Sequence, residues 1–139
     1  NMLGGHFSVI TTLKRSIPAL KKNLKNYGLY DNCVSLSSVD IPVLELESNL
    51  NLTEQKIEEK IKEILDNSDT EIFVLGCAGM ADFAIKMKKK YNIPVIEGIS
   101  VAVKFAESFI DLDLKTSSRN SFAMPRSKKF TGIFKNFEV

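Results

Sequence analysis

Apolar and polar residues follow two different periods along the chain, and these periods predict alternating strands and helices. Residues 6–11 alternate and are rich in β-formers, which predicts a first strand. Apolar side chains then recur every three or four positions, which predicts a helix. Ser16 and Pro18 fit the start of that helix, because proline lacks the N–H that an interior turn needs. Gly28 suits the position just after its end.

The same two periods continue as far as residue 112. Residues 71–75 have the composition of a strand that is buried on both faces, and Thr53 can cap a helix with an apolar face. In chain order, the pattern predicts a strand at 33–36, a helix after Thr53, a strand at 71–75, a helix over 80–91, a strand at 93–96 and a helix over 100–112. Residues 115–139 show no clear period.

Alternation of strands and helices is typical of an α/β fold with a parallel sheet. We therefore expect a four-stranded parallel sheet flanked by helices, followed by a C-terminal helix and an extended tail. Ligands of such sheets bind at the carboxyl ends of the strands. That edge is predicted to hold Thr11, Thr12, Gly76, Cys77 and Glu97.

Composition narrows the class of protein. The 139 residues are 44% hydrophobic and 26% charged, with a formal net charge of +2, which suits one folded domain rather than a disordered chain. The weak charge argues against a nucleic-acid partner, and the apolar runs are too short to span a membrane. The chain opens with no secretory signal, so we expect a cytoplasmic protein. Two cysteines and one histidine are too few for a structural zinc site, and we expect no metal.

Cys77 is the leading candidate for chemistry. It lies between a buried strand and the start of a helix, in a Gly-Cys-Ala-Gly turn. Free N–H groups and the helix dipole stabilise a thiolate at such a position, and small neighbours let a ligand approach the backbone. The alternative is that Cys77 is a small buried hydrophobic residue, as free cysteines commonly are.

Three further residues at this edge have two interpretations each. The hydroxyls of Thr11 and Thr12 could donate to a carboxylate or an oxyanion, or they could cap the helix that follows. Glu97 could orient a ligand or cap the next helix, and we favour a structural or supporting role.

Cys33 and His6 are predicted at the opposite, amino edge of the sheet. A strand of about five residues spans roughly 16 Å, whereas a disulfide needs Cα atoms within about 7 Å. We therefore expect no bond between Cys33 and Cys77, a structural role for Cys33, and no catalytic role for His6. The phosphate-loop and dinucleotide-binding fingerprints are absent from the sequence.

Four segments resemble the second domain of hydantoin racemases, which belong to the aspartate/glutamate racemase superfamily. They are residues 2–12 (Met-Leu-Gly-Gly-His-Phe-Ser-Val-Ile-Thr-Thr), 74–80 (Val-Leu-Gly-Cys-Ala-Gly-Met), 93–98 (Ile-Pro-Val-Ile-Glu-Gly) and 115–119 (Lys-Thr-Ser-Ser-Arg). The resemblance covers essentially all 139 residues, in order and with matching spacing, and the Gly-Cys-Ala-Gly-Met segment is its most specific part.

This resemblance implies racemisation without a cofactor at a carbon next to a carbonyl group. In the family, one cysteine removes the α-proton and a second delivers a proton to the opposite face. Cys77 matches the second of these cysteines. The resemblance also implies that the substrate, a hydantoin or an amino-acid derivative, contacts Thr11, Thr12, Gly76, Ala78 and Gly79, with Glu97 behind them.

The chain departs from the family pattern in one respect. The preceding domain, with the first cysteine, is expected in such racemases and is not part of this sequence. We therefore expect residues 1–103 to form the second racemase-type domain, and residues 104–139 to be a helix and tail that pack on the first. Alone, the chain is expected to be inactive, with an under-covered apolar face at Val101, Val103, Phe105 and Phe109 that favours a homo-oligomer or association with an N-terminal domain.

Two other functions stay open at this point. One is a single-cysteine decarboxylase or isomerase of the same superfamily, which the missing half would distinguish. The other is a non-catalytic module that binds a small anion or serves assembly. A Cys77 thiol that reacts with iodoacetamide at neutral pH would favour the enzymes, and an inert thiol would favour the module.

Overall fold

A computed structural model describes residues 2–137 of the chain. The chain divides into two compact units, Asn1–Lys104 and Phe105–Val139. The first unit contains the whole sheet and the candidate site. Within residues 2–137, no helix is both long enough and apolar enough to cross a membrane.

Four parallel strands form the sheet, in the spatial order β2-β1-β3-β4. The strands are β1 (Phe7–Thr11), β2 (Cys33–Ser38), β3 (Ile72–Leu75) and β4 (Val95–Glu97). The predicted α/β fold with a four-stranded parallel sheet is therefore confirmed. Strand β2 is longer than predicted, because Ser38 pairs with Thr11 at the end of the central strand. Strand β4 begins at Val95, although the carbonyl of Pro94 still accepts a hydrogen bond from the Phe73 N–H.

The strands are connected by α1 (Ile17–Asn26), α2 (Leu50–Asn67) and α3 (Ala81–Tyr91), which cover both faces of the sheet. A further helix, α4 (Gly98–Asp111), follows β4. Pro18 lies in the first turn of α1, as predicted. Gly28 follows the end of α1 with φ +66°, a left-handed conformation that only glycine adopts without strain.

The start of α2 corrects one prediction. Asn49, rather than Thr53, is the N-cap, and its Oδ1 accepts a hydrogen bond from the Leu52 N–H at 3.1 Å. Thr53 lies one turn inside the helix and is buried, and its hydroxyl donates instead to the carbonyl oxygen of Leu46 at 2.9 Å. The cap is therefore an amide four residues earlier, and Thr53 ties the helix to the preceding loop.

Alternate residues of each strand build two apolar clusters, since successive side chains of a strand point to opposite faces. The larger cluster contains Ile10, Phe73 and Leu75 together with the apolar faces of α2 and α3. The smaller cluster contains Phe7, Val9 and Ile72, with Leu20 and Leu24 of α1 packed against it. The sheet is thus buried on both sides, which explains why β3 is an uninterrupted apolar run.

The second unit comprises the last part of α4 and two 3-10 segments, Asn120–Phe122 and Gly132–Phe137, between irregular stretches of chain. The apolar side chains of α4 for which an under-covered face was predicted are exposed, between 37% for Val101 and 56% for Phe105.

Candidate functional site

Between the carboxyl ends of β1 and β3, the connections that leave the two strands run in opposite directions along the sheet. The chain passes from β1 to β2 on one side, and then returns to β3 on the other side of β1. In open parallel sheets, such a switch point opens a crevice in which ligands bind. The first segment beyond β3 starts directly beside β1, because the Gly76 N–H donates to the carbonyl oxygen of Ile10 at 2.8 Å.

Thr11 and Thr12 form one wall of this edge. Both are buried, and their carbonyl oxygens accept hydrogen bonds from the N–H groups of Val39 and Ile41 at 3.0 and 3.1 Å. Neither residue caps a helix, since Leu13 precedes the short 3-10 turn that leads to α1. Of the two interpretations of the hydroxyls, the capping role is therefore wrong, and the ligand-binding role remains a prediction.

Ser38 is a polar residue at this edge that the sequence analysis missed. It pairs with Thr11 at the end of β2, and its Oγ is buried without a hydrogen-bond partner among residues 2–137. The predicted strand ended at residue 36, because the serines that follow show no apolar alternation. Pairing β2 with β1 residue by residue would have placed Ser38 at this edge.

Cys77 immediately precedes a helical start. It is half-buried, has an extended backbone (φ −142°, ψ 136°), and accepts the Met80 N–H at its carbonyl oxygen at 3.0 Å. The 3-10 turn Ala78–Met80 then continues into α3 without a break. Cys77 is the N-cap residue of this turn, and its side chain makes no capping hydrogen bond. The first N–H groups of a helix have no partner within it, so Cys77 directly precedes unpaired backbone donors and the positive end of the helix dipole.

The small residues around Cys77 leave its backbone accessible. Gly76, Ala78 and Gly79 are all exposed. A Cβ at Gly76 would lie 3.6 Å from the Cβ of Thr11, which shows how closely the cysteine turn approaches the threonine wall. The structure thus brings Thr11, Gly76 and Cys77 to one place, as expected from the strand order.

Glu97 is occupied by the helix that follows it. Its carboxylate accepts the N–H groups of Ile99 and Ser100 at 2.6 and 2.9 Å, so it caps α4. The side chain of Ser100 is the main cause of a lowered pKa of Glu97, helped by the two N–H groups. Glu97 pairs with Leu75 of β3, one strand further from Thr11, so its observed role is structural.

Cys33 lies at the amino edge, as predicted. Its Sγ donates to the carbonyl oxygen of Ser35 at 3.4 Å, and burial raises the pKa of its thiol. Cys33 packs against the cluster beneath α1, whereas Cys77 packs against the other cluster, and both thiols are free. His6 is exposed at the same amino edge. Residues 2–137 contain no group of three histidine, cysteine or acidic side chains that could hold a metal ion.

Comparison with known proteins identifies the class to which this fold and edge belong. The model of the Asp/Glu/Hydantoin racemase family matches residues 1–106, and the chain therefore belongs to this family. It is 33% identical to a hydantoin racemase of a Pseudomonas strain over 99% of this chain, and 37% identical to a hydantoin racemase of Rhizobium meliloti over 91%.

A solved structure of allantoin racemase from Klebsiella pneumoniae is 36% identical over 99% of this chain, with a TM-score of 0.87. That from Pseudomonas fluorescens is 36% identical over 94%, with a TM-score of 0.80. The chain spans about half the length of the proteins it matches: 55% and 52% of the two hydantoin racemases and 56% of each allantoin racemase.

Proposed function

We propose that this chain supplies one half of the active site of a cofactor-independent racemase, which inverts a carbon next to a carbonyl group in a small cyclic molecule of the hydantoin or allantoin type. The observation that carries the proposal is the position of Cys77. Cys77 follows β3 at the switch point of the sheet and directly precedes the turn into α3, and its neighbour Gly76 is hydrogen-bonded to Ile10 of β1. Relatives named hydantoin and allantoin racemases support the substrate class.

The proposed chemistry needs an acid and a base on opposite faces of one carbon. The Cys77 thiolate takes the α-proton, so that the C–H bond breaks, an S–H bond forms, and the electron pair moves onto the carbonyl oxygen as an enolate. A second acid outside this chain, a cysteine in the family, returns a proton to the other face. In the reverse direction, Cys77 is the acid.

Stabilisation of the enolate oxygen is the second requirement, because negative charge develops there. The N–H groups of the turn at Ala78 and Gly79 and the hydroxyls of Thr11 and Thr12 are the proposed donors. Ala78 and Gly79 are exposed, which supports this assignment, since a ligand can reach their backbone.

We further propose that residues 1–103 form one racemase-type domain, and that residues 104–139 pack against another domain. That domain comes from the rest of a longer protein or from another chain, and a homo-oligomer is an alternative source. The exposed apolar side chains of α4 support this arrangement. Two free cysteines suit a reducing compartment, and we propose the cytoplasm.

The test supplies the missing proton-transfer group for the second face of the substrate carbon. The chain is joined to the part of the Klebsiella allantoin racemase that it does not match, and an enantiopure 5-substituted hydantoin is incubated with the chimera in D₂O. We expect the circular dichroism signal to decay while deuterium enters at the α-carbon. The same chimera with Cys77→Ser measures spontaneous racemisation.

A folded chimera whose rate equals this Cys77→Ser background contradicts the proposed function. The isolated chain is expected to show no activity, since only one face of the carbon has a proton-transfer group. Robust racemisation by the isolated chain would overturn the two-face mechanism. Release of CO₂ from an arylmalonate, without racemisation, would favour a single-cysteine decarboxylase instead.

A further inference from the structure

The space above Gly79 is filled by a residue from a distant loop. A Cβ built on Gly79 would lie 3.1 Å from Cδ1 of Leu46, a separation tighter than ordinary van der Waals contact. The same Cβ would lie 4.0 Å from Sγ of Cys77. Leu46 follows β2, whereas Gly79 follows β3, so the loop after one strand rests on the cysteine turn after another.

Leu46 has little freedom to move. Its side chain is fully buried within the larger apolar cluster. Its carbonyl oxygen accepts the Thr53 hydroxyl at 2.9 Å, and Thr53 is itself 1% exposed within α2. Its N–H donates to the carbonyl oxygen of Val43 at 3.3 Å. A rigid core and a hydrogen bond from α2 therefore hold the methyl group that meets Gly79.

We propose that Leu46, held by Thr53, is a positioning residue for Cys77, and that glycine at position 79 is required because the Leu46 methyl group occupies the place of a side chain. The inference rests on the proposed function, since it assigns Leu46 to the support of the proposed catalytic thiol. Leu46 touches no reacting atom. It fixes the turn that carries the sulfur and its neighbouring N–H groups in one arrangement.

This arrangement has a consequence that can be measured without racemase activity. Backbone N–H groups at a helix start attract anions, so Cys77 should react faster with negatively charged iodoacetate, relative to neutral iodoacetamide, than a free small thiol does. The ratio of the two rates is the useful quantity. Shielding of the sulfur or a change in its nucleophilicity affects both reagents alike, whereas displacement of the donors changes the ratio.

The experiment uses the 139-residue chain with Cys33→Ser, so that only Cys77 reacts. The variants are Gly79→Ala, Leu46→Val and the two combined. Valine lacks both Cδ methyl groups, including the one that meets position 79, and keeps an apolar side chain in the core. Gly98→Ala is the matched control, because nothing lies within 4 Å of a Cβ at Gly98. Thermal unfolding of each variant reports on stability separately.

We expect Gly79→Ala to lower the ratio roughly two- to fivefold, the range of a helix-end interaction with a charge. The combined variant should recover the wild-type ratio, although Leu46→Val alone lowers the melting temperature. Two results would overturn the role of Leu46 while leaving the proposed function intact, provided that Cys77 is reactive. One is an iodoacetate-to-iodoacetamide rate ratio that Gly79→Ala does not change, and the other is a ratio that the combined variant does not restore. An inert Cys77 in the unmodified turn overturns both this role and the proposed function.

Discussion

Cys33 and Cys77 are the same residue type at opposite ends of one parallel sheet, and their surroundings differ accordingly. Cys33 begins a strand, donates a hydrogen bond to the carbonyl oxygen of Ser35, and has a pKa raised by burial. Cys77 follows a strand and precedes the turn into α3, with exposed small residues on both sides. Both thiols pack against apolar clusters, but the thiol at the amino end bonds to a carbonyl oxygen of its own strand, whereas the cysteine at the carboxyl end leads into the first N–H groups of a helix.

Two glutamates, Glu71 and Glu97, also differ between the amino and carboxyl edges of the sheet. At the amino edge, the Glu71 carboxylate accepts the N–H groups of Gly5 and His6 at 2.5 and 2.8 Å, and these bonds lower its pKa. At the carboxyl edge, Glu97 accepts two N–H groups of α4. Glu71 is exposed, whereas Glu97 is 6% exposed. One ties the entry of β1 to β3, and the other organises the helix beside the candidate site.

The largest expected effect is on thiol modification. In the wild-type chain at neutral pH, iodoacetamide should modify Cys77 and leave Cys33 untouched, because the raised pKa of Cys33 keeps that thiol protonated. Cys77→Ser should therefore abolish modification and Cys33→Ser should not, as measured by mass spectrometry over time. If both single variants were modified at the same rate, the predicted difference in thiol reactivity between the two edges of the sheet would be wrong. An unreactive Cys77 would favour a non-catalytic module.

A middle-sized effect is expected at Glu97. Glu97→Ala should cost about 1 kcal/mol of unfolding free energy at pH 7, the usual effect of removing a cap. The pKa of Glu97 is lowered by folding, so its contribution is present above the pKa of an unfolded glutamate and is lost as the pH falls through the lower folded value. Urea unfolding at pH 7 and pH 3 should show wild type and variant converging in acid. A constant difference at both pH values would contradict this.

The smallest effect is expected at Glu71. Glu71→Gln should lower the urea midpoint less than Glu97→Ala does, because Glu71 is exposed and solvent weakens its interactions. The effect should shrink further in high salt. Gln55, exposed on α2, provides a matched surface control through Gln55→Ala. A Glu71 effect as large as that of Glu97 would show that exposure to solvent does not weaken the hydrogen bonds of the carboxylate at the amino edge.

Periodicity was enough to predict the order and type of the elements, because each helix and strand buries a face whose spacing is visible in the sequence. The ends of the elements were less predictable. Ser38 extends β2 only because Thr11 lies beside it, and the cap of α2 is Asn49 because Thr53 bonds to Leu46 instead. Both outcomes depend on partners distant in sequence, which a local pattern does not contain.

The candidate site divides in the same way. Cys77 and Thr11 could be predicted, because their place at strand ends follows from the topology. Leu46 could not, since an apolar residue in a loop has no period, and its meeting with Gly79 depends on the packing of two loops. For Glu97 the sequence left two roles open, orienting a ligand or capping the next helix. Only the positions of its carboxylate oxygens, which accept N–H groups of α4, decided for the cap.

The order of strands in the sheet also determines when each side of β1 can pair during synthesis. β1 lies at the centre of the sheet, between β2 and β3, yet Phe7 finds its partner Ile72 only after both α1 and α2 have been synthesised. Until then, one long side of β1 carries unpaired backbone groups next to Phe7 and Val9. Such an edge is exposed to wrong pairing while the chain is still growing. Because the pairing of β1 with β3 joins residues far apart in sequence, slow assembly is also expected when the complete chain is refolded from denaturant.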